Sequence, residues 1–230
     1  MDLRIEFNEK EALRYFGAKP EDTQAAAAVG RAYLQLRNEV QPRAILQRWS
    51  CQVVQGTQEQ KGRVILECGT EFVSSNLAKH LTGCSELLLF GATLGSRVDA
   101  ALRRICIRSI AEGAAAQAVA ASLIESYCDA QEVRWKKELP DTYSYRWRFS
   151  PGYGDWDLTE QQKIFQLLNC ARTIGLTLTA GGLMAPTKSV TAVIGIDTTG
   201  GRKAATRPSG CGNDCRTCKN TNCAFRQEEL

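Results

Sequence analysis

Two stretches of the sequence hold residue types at spacings that could do chemistry. The first is Cys211-Gly-Asn-Asp-Cys215-Arg-Thr-Cys218-Lys-Asn-Thr-Asn-Cys223, which sets four thiols within thirteen positions. Polar turn-formers fill the gaps, so the sulfurs can converge. Thiolates this close repel one another unless they are oxidised or bound to a metal. Four of them suit tetrahedral zinc or an iron-sulfur cluster, and the absence of a paired zinc-ribbon layout weakens the zinc reading. A disulfide-bonded tail or one without structure is the remaining alternative.

The second stretch is Arg148-Phe149-Ser150-Pro151-Gly152-Tyr153-Gly154-Asp155. Pro151 fixes one backbone angle, and Gly152 and Gly154 open conformations closed to other residues. Such a loop lets the main chain approach a ligand closely. Arg148 stands at its entrance with a planar fork of donors suited to a carboxylate. The plainer reading is a tight strand-to-helix turn with a surface arginine.

The elements that must position these stretches can be read from periodicity and punctuation. Glu9 to Phe16 reads as a short helix ending at Gly17, and Pro20 and Asp22 open a second helix through about Asn38. Arg43 to Val54 and Arg63 to Cys68 read as strands. Ser74 or Ser75 caps a short helix that stops at Gly83, and Glu86 to Phe90 reads as a buried strand. Two long helices follow, Ser96 to Ile110 and Ala114 to Leu139, the second beginning almost as polyalanine. Tyr143, Tyr145 and Trp147 alternate like a strand into the central loop. Thr159 and Gln162 form a capping box for a helix that Gly175 ends. Thr177 to Ala180 and Ser189 to Ile196 read as strands, joined by Gly181 to Lys188, a candidate ligand-facing loop.

Strands and helices do not alternate as regular units, so the expected fold is α+β with a largely antiparallel sheet. The expected divisions are a main domain over 1–197, a basic linker over 198–210 and a four-cysteine metal- or cluster-binding tail over 211–226. The apolar fraction of 43% supports a real core. The net charge of +4 is mild and does not argue for nucleic acid. Arg202, Lys203, Arg207, Arg216, Lys219 and Arg226 could contact one, but a basic linker is more often merely solvated. No apolar run reaches the roughly 18 residues needed to span a membrane, and the first residues lack a signal-peptide core, so a cytoplasmic protein without a membrane partner is expected. The six cysteines scattered through the body are expected to be small buried hydrophobes. His80 is the only histidine and is read as structural.

Four blocks in order resemble the activation domain of cobalamin-dependent methionine synthase, and more closely its shorter, free-standing forms. They are Arg148 to Asp155, Gln161 to Leu168, Ile174 to Thr179 and Met184 to Val190. Weaker echoes lie in Arg14-Tyr15-Phe16-Gly17, in Phe90 to Gly95 and in Leu123-Ile124-Glu125. The resemblance implies a twisted antiparallel sheet flanked by helices, with S-adenosylmethionine bound along the central loop. Arg148 would hold the ligand's carboxylate, backbone near Ser150 and Tyr153 would read its adenine, and Gly152 would keep bulk away. Glu125 would face its positive charge. Arg148→Ala should then weaken binding with little loss of fold.

The resemblance also implies an activity: reductive reactivation of an oxidised cobalamin held by a partner, a corrinoid-binding methionine synthase or methyltransferase. One electron, from a low-potential donor, and one methyl group from S-adenosylmethionine restore the cofactor. No residue need be an acid, base or nucleophile. The tail would pass the electron if it carries an iron-sulfur cluster. Radical enzymes that use S-adenosylmethionine share its first two gaps, but place a barrel after the motif. One departure from the family is that Gly195 to Gly201 holds no aromatic residue to enclose the nucleoside. Asp155 and Lys188 are read as a turn residue and a surface lysine before site residues. The alternative is a non-catalytic binding or regulatory protein with a structural zinc or iron-sulfur tail.

Overall fold

The computed structural model describes residues 5–199; the linker from Gly200 on and the four-cysteine tail lie outside them. The chain opens with α1 (Glu9–Phe16), capped by the Asn8 side chain accepting from the Glu11 N–H and closed by Gly17 at φ 78°. Helix α2 (Thr23–Leu36) is capped in the same way by Asp22. Strands β1 (Arg43–Val54), β2 (Arg63–Leu66) and β3 (Glu71–Val73) precede α3 (Ser75–His80) and β4 (Glu86–Thr93). Then come α4 (Ser96–Arg108), α5 (Ile110–Lys136) and the short β5 (Ser144–Tyr145). A 3-10 turn at Leu158–Glu160 leads into α6 (Gln161–Leu168), α7 (Cys170–Ile174), the hairpin β6 (Thr177–Leu178) and β7 (Met184–Ala185), and β8 (Ser189–Asp197).

Six strands form one sheet in the order β3-β2-β1-β4-β8-β5, antiparallel at every pairing. The architecture is the α+β fold read from the sequence. β4 sits at its centre and is buried on both faces, which explains its unbroken apolar run. Phe90 and Ala92 face the layer built from α1, α2, α4 and α5. Leu87 and Leu89 face α3, α6 and α7, together with Trp156. The small residues at the start of α5 let it close on α4: a Cβ at Gly113 would stand 2.6 Å from Cys106 Sγ. A bulkier residue there would force the two helices apart.

Several local readings are corrected. Ser109 is extended and both ends α4 and caps α5 through the Glu112 N–H, so α5 begins at Ile110 rather than Ala114. The capping box at Thr159 does not form; the Asp157 carboxylate instead takes both the N–H and the hydroxyl of Thr159. The helix that follows is split at Asn169, which adopts the left-handed conformation at φ 48° that asparagine tolerates better than most residues. The alternating run before the central loop pairs with β8 only at Ser144–Tyr145, then touches it again where Phe149 and Val193 exchange hydrogen bonds of 2.9 and 2.8 Å. Between those points Arg146 N–H still bonds Gly195 O at 2.9 Å.

Candidate functional site

The segment from Arg146 to Phe149 carries Arg148 against α5, where three carboxylates wait. Glu125, Asp129 and Glu132 are four and three residues apart, so they share one helix face. Arg148 Nη1 donates to Glu132 at 2.8 Å. Its Nη2 donates to Asp129 at 2.6 Å and to Glu125 at 3.2 Å. The Arg148 side chain is only 4% exposed, whereas that of Asp129 is 59% exposed. Burial works against the guanidinium charge, but Cys128, Asp129 and Glu132 outweigh it and hold Arg148 firmly protonated. Lys136, one turn beyond Glu132, adds a second cation at 2.6 Å. The five groups together keep one negative charge in excess. Asp129 and Glu132 were not singled out in the sequence; their spacing from Glu125 was the available signal.

The same structure brings the Tyr15 block to this cluster. Burial first, then the charges of Glu125 and Glu11, push the Tyr15 phenol up to about 12. Arg14 lies over the Tyr15 ring at 4.6 Å and also pairs with Glu11. Lys188 reaches α5 as well, donating to Gln117 O at 3.3 Å, and burial lowers its pKa. It is therefore a partly buried strut between β8 and α5 rather than a surface lysine.

Past Arg148 the loop folds back on itself. Gly152 N–H bonds Trp156 O at 2.7 Å, Tyr153 N–H bonds Ser150 O at 3.1 Å, and Trp156 N–H bonds Tyr153 O at 3.0 Å. Gly152 and Gly154 take φ of 92° and 59°, as the composition demanded. A Cβ at Gly154 would stand 2.8 Å from Asn76 Cγ. Asp155 is the tie that holds the loop on α3. Its carboxylate accepts from Ser74 Oγ at 2.5 Å and from the N–H groups of Ser75 and Asn76 at 2.9 Å. Desolvation, the largest single influence, raises its pKa, but these bonds together outweigh it and lower it. Tyr153 stays 49% exposed and meets Phe149 edge-on at a centroid distance of 5.7 Å.

His80 is structural, as its isolation suggested. Its Nε2 lies 2.9 Å from Trp147 O, and its ring stacks on Phe149 and meets Trp147 edge-on. Burial lowers its pKa. Of the scattered cysteines, Cys84, Cys128 and Cys170 are buried, Cys51 is half-buried, and Cys68 and Cys106 are exposed. The expectation of burial therefore fails for the last two. Among the described residues no group of three or more His, Cys, Asp and Glu side chains could hold a metal ion, and no helix is long and apolar enough to cross a membrane. Cys211, Cys215, Cys218 and Cys223 lie outside the described residues.

Of the sequence-predicted residues, Glu125 and Arg148 meet directly at α5, while Ser150, Gly152 and Tyr153 lie in the following loop, which is tied to the start of α3. Arg148 differs from its expected setting: its fork is already filled by the chain's own carboxylates. It is an internal junction, and the expectation that its removal spares the fold does not suit a side chain so placed.

Residues 103–200 match the family model described as vitamin B12 dependent methionine synthase, activation domain. That span holds the second half of α4, all of α5, the central loop and β8. A crystal structure of the MetH reactivation domain bound to AdoHcy superposes with a TM-score of 0.56 at 16% identity, covering 84% of this chain and 70% of that one. That likeness is one of fold. No curated protein matches by sequence. The resemblance read from the four sequence blocks is borne out by the family match, and the fold by the superposition.

Proposed function

We propose that the chain reactivates an oxidised cobalamin held by a partner, a methionine synthase or related corrinoid methyltransferase, with S-adenosylmethionine as methyl donor. The family match over residues 103–200 supports the activity, and the solved relative's AdoHcy supports the ligand class. The observation that carries the reading here is the Arg148 cluster, with the glycine-opened loop directly after it in the chain, both within the matched span. Its excess negative charge suits a ligand whose sulfonium and ammonium are positive. The ligand's carboxylate would gain Arg148 by taking the place of Asp129, the most exposed of its three partners.

In this reading Arg148 and Glu125 orient the ligand's amino-acid end. Ser150 and the exposed Tyr153 ring line its nucleoside, and Gly152 leaves room for it. The partner's cobalamin supplies the nucleophilic metal that accepts the methyl group. The chain's own residues add position and electrostatics, and none acts as a base or nucleophile. Binding of S-adenosylmethionine to the purified chain, followed by calorimetry, tests the reading. Saturable binding that a decarboxylated analogue does not share supports it. No heat at millimolar ligand contradicts it.

We further read the four tail cysteines as an iron-sulfur or zinc site, with a low-potential donor feeding the electron if it is a cluster. Iron and labile sulfide in an anaerobic preparation support electron entry there; one zinc and no iron contradicts it. A second reading, a binding or regulatory protein without methyl transfer, is favoured by two details. Arg148 is already satisfied internally, and the Gly152 and Tyr153 N–H groups are spent within the loop. The calorimetric experiment separates the two.

A further inference from the structure

Strand β1 has one neighbour along its first part and the other along its last part. On one side it runs beside β4 from Arg43 to Ser50. On the other, β2 covers it only from Cys51 to Val54. The phase of the ladder follows from its ends. Cys51 N–H donates to Ser85 O, on the β4 side, while Ser50 O accepts from Glu67 N–H, on the opposite side. Alternate residues therefore point their backbone groups the same way. Ile45, Gln47 and Trp49 direct theirs to β4, and Ala44, Leu46 and Arg48 direct theirs outward. Among the described residues no strand lies on that outward side of those three.

An open edge of this kind is usually blunted by a charge, a bulge or a cover. Here its first part, Ala44 to Leu46, is instead the floor of a cleft of about 570 Å³, and Arg48 lies just beyond it. One wall is the second half of α5, with Tyr127, Gln131 and Trp135; the other is Thr173 and Ile174 of α7. Two further clefts open beside it, and Arg43 borders all three. Arg37 and Arg103 line the neighbouring clefts. Among the described residues, no salt bridge engages Arg37, Arg43 or Arg103. The acids nearby are committed: Asp99 takes both the N–H and the hydroxyl of Thr187, and Glu138 lies 3.6 Å from Arg134.

We infer that the Ala44–Arg48 edge of β1 receives an extended acidic segment of a partner protein, which adds a seventh strand in the cleft between α5 and α7. Main-chain bonds to Ala44, Leu46 and Arg48 fix its register. Its acidic side chains meet Arg37, Arg43 and Arg103, and its apolar ones enter between Trp135 and Ile174. The charge also argues against the chain's own linker as occupant, since Arg202, Lys203 and Arg207 would face the same arginines. The inference does not depend on the proposed methyl transfer.

The test uses the full chain and three labelled octapeptides: alternating Glu-Val, alternating Lys-Val, and the Glu-Val peptide N-methylated at every second amide. We expect the Glu-Val peptide to bind, and the other two to bind at least about tenfold more weakly. Amide exchange should slow at Ala44, Leu46 and Arg48, whose N–H groups face outward, and stay unchanged at Ile45 and Gln47. Arg43→Glu, a change at an exposed side chain, should weaken the Glu-Val peptide about tenfold. Equal binding of all three peptides, no binding, or protection confined to a self-associated form of the chain would overturn the inference.

Discussion

Arg148 and Asp129 lie 2.6 Å apart, yet the arginine side chain is 4% exposed and the aspartate 59%. The pair is a gate with one fixed and one movable post. Arg148 is also held by Glu125 and Glu132, both much less exposed than Asp129. A carboxylate arriving from solvent therefore competes with Asp129 first. Asp129→Asn should raise the affinity for S-adenosylmethionine about three- to tenfold, because a larger share of the protein then presents a free donor. A decarboxylated analogue should gain nothing. Titration calorimetry on both ligands checks the difference.

Removing the fixed post should have a different signature. Arg148→Ala strips the only arginine from a part-buried group of three acids, and should cost about 3 kcal/mol of stability. Arg148→Lys keeps the charge but loses the fork, and should fall between. Denaturant midpoints at constant slope measure this. If the alanine variant were as stable as the parent, the junction would carry no stability and the sequence reading, that removing Arg148 spares the fold, would stand.

Much of this was legible in the residues. The helix starts at Asp22 and Ser74, the stop at Gly17 and the buried run of β4 follow from local chemistry, and all appear in the fold. The glycines at 152 and 154 announced positive φ. The two-residue β5 was overread as a full strand, because an alternating aromatic pattern also suits a segment that touches the sheet only at intervals. Asn169 and Ser109 broke helices without Gly or Pro to mark the place. The filling of the Arg148 fork was hidden for a deeper reason. It joins residues 16 to 23 positions apart across a loop, and no local pattern records which side chain a buried arginine will choose.

The loop's anchorage predicts a second stability effect. Asp155→Ala removes three bonds to the start of α3 and should destabilise by about 1–2 kcal/mol. Since the folded state lowers the Asp155 pKa, this contribution is present above its ordinary value of 3.8 and fades as pH falls through the lower folded value. Gly154→Ala should destabilise as well, from its φ of 59° and the clash with Asn76. Thermal melts of the two variants at neutral and acid pH check both.

His80 supplies an acid-side dependence at higher pH. Its pKa is lowered by burial, so the unfolded chain binds a proton the folded chain refuses. Stability from this group is complete above the ordinary value of 6.5 and declines as pH falls from there through the folded pKa. His80→Gln should flatten that decline while lowering stability at neutral pH, where the Trp147 carbonyl and the stacking on Phe149 are weakened. Urea unfolding from pH 5 to pH 8 follows it.

The most direct measurement of the central claim mixes the purified chain with a corrinoid protein in its oxidised, inactive state. A chemical reductant and methyl-labelled S-adenosylmethionine complete the mixture. The account predicts that the visible spectrum shifts to the methylated form, and that label moves to the corrinoid only when chain, reductant and donor are all present. The Arg148→Lys variant should slow both. An unchanged spectrum, or label transfer at the same rate without the chain, contradicts it.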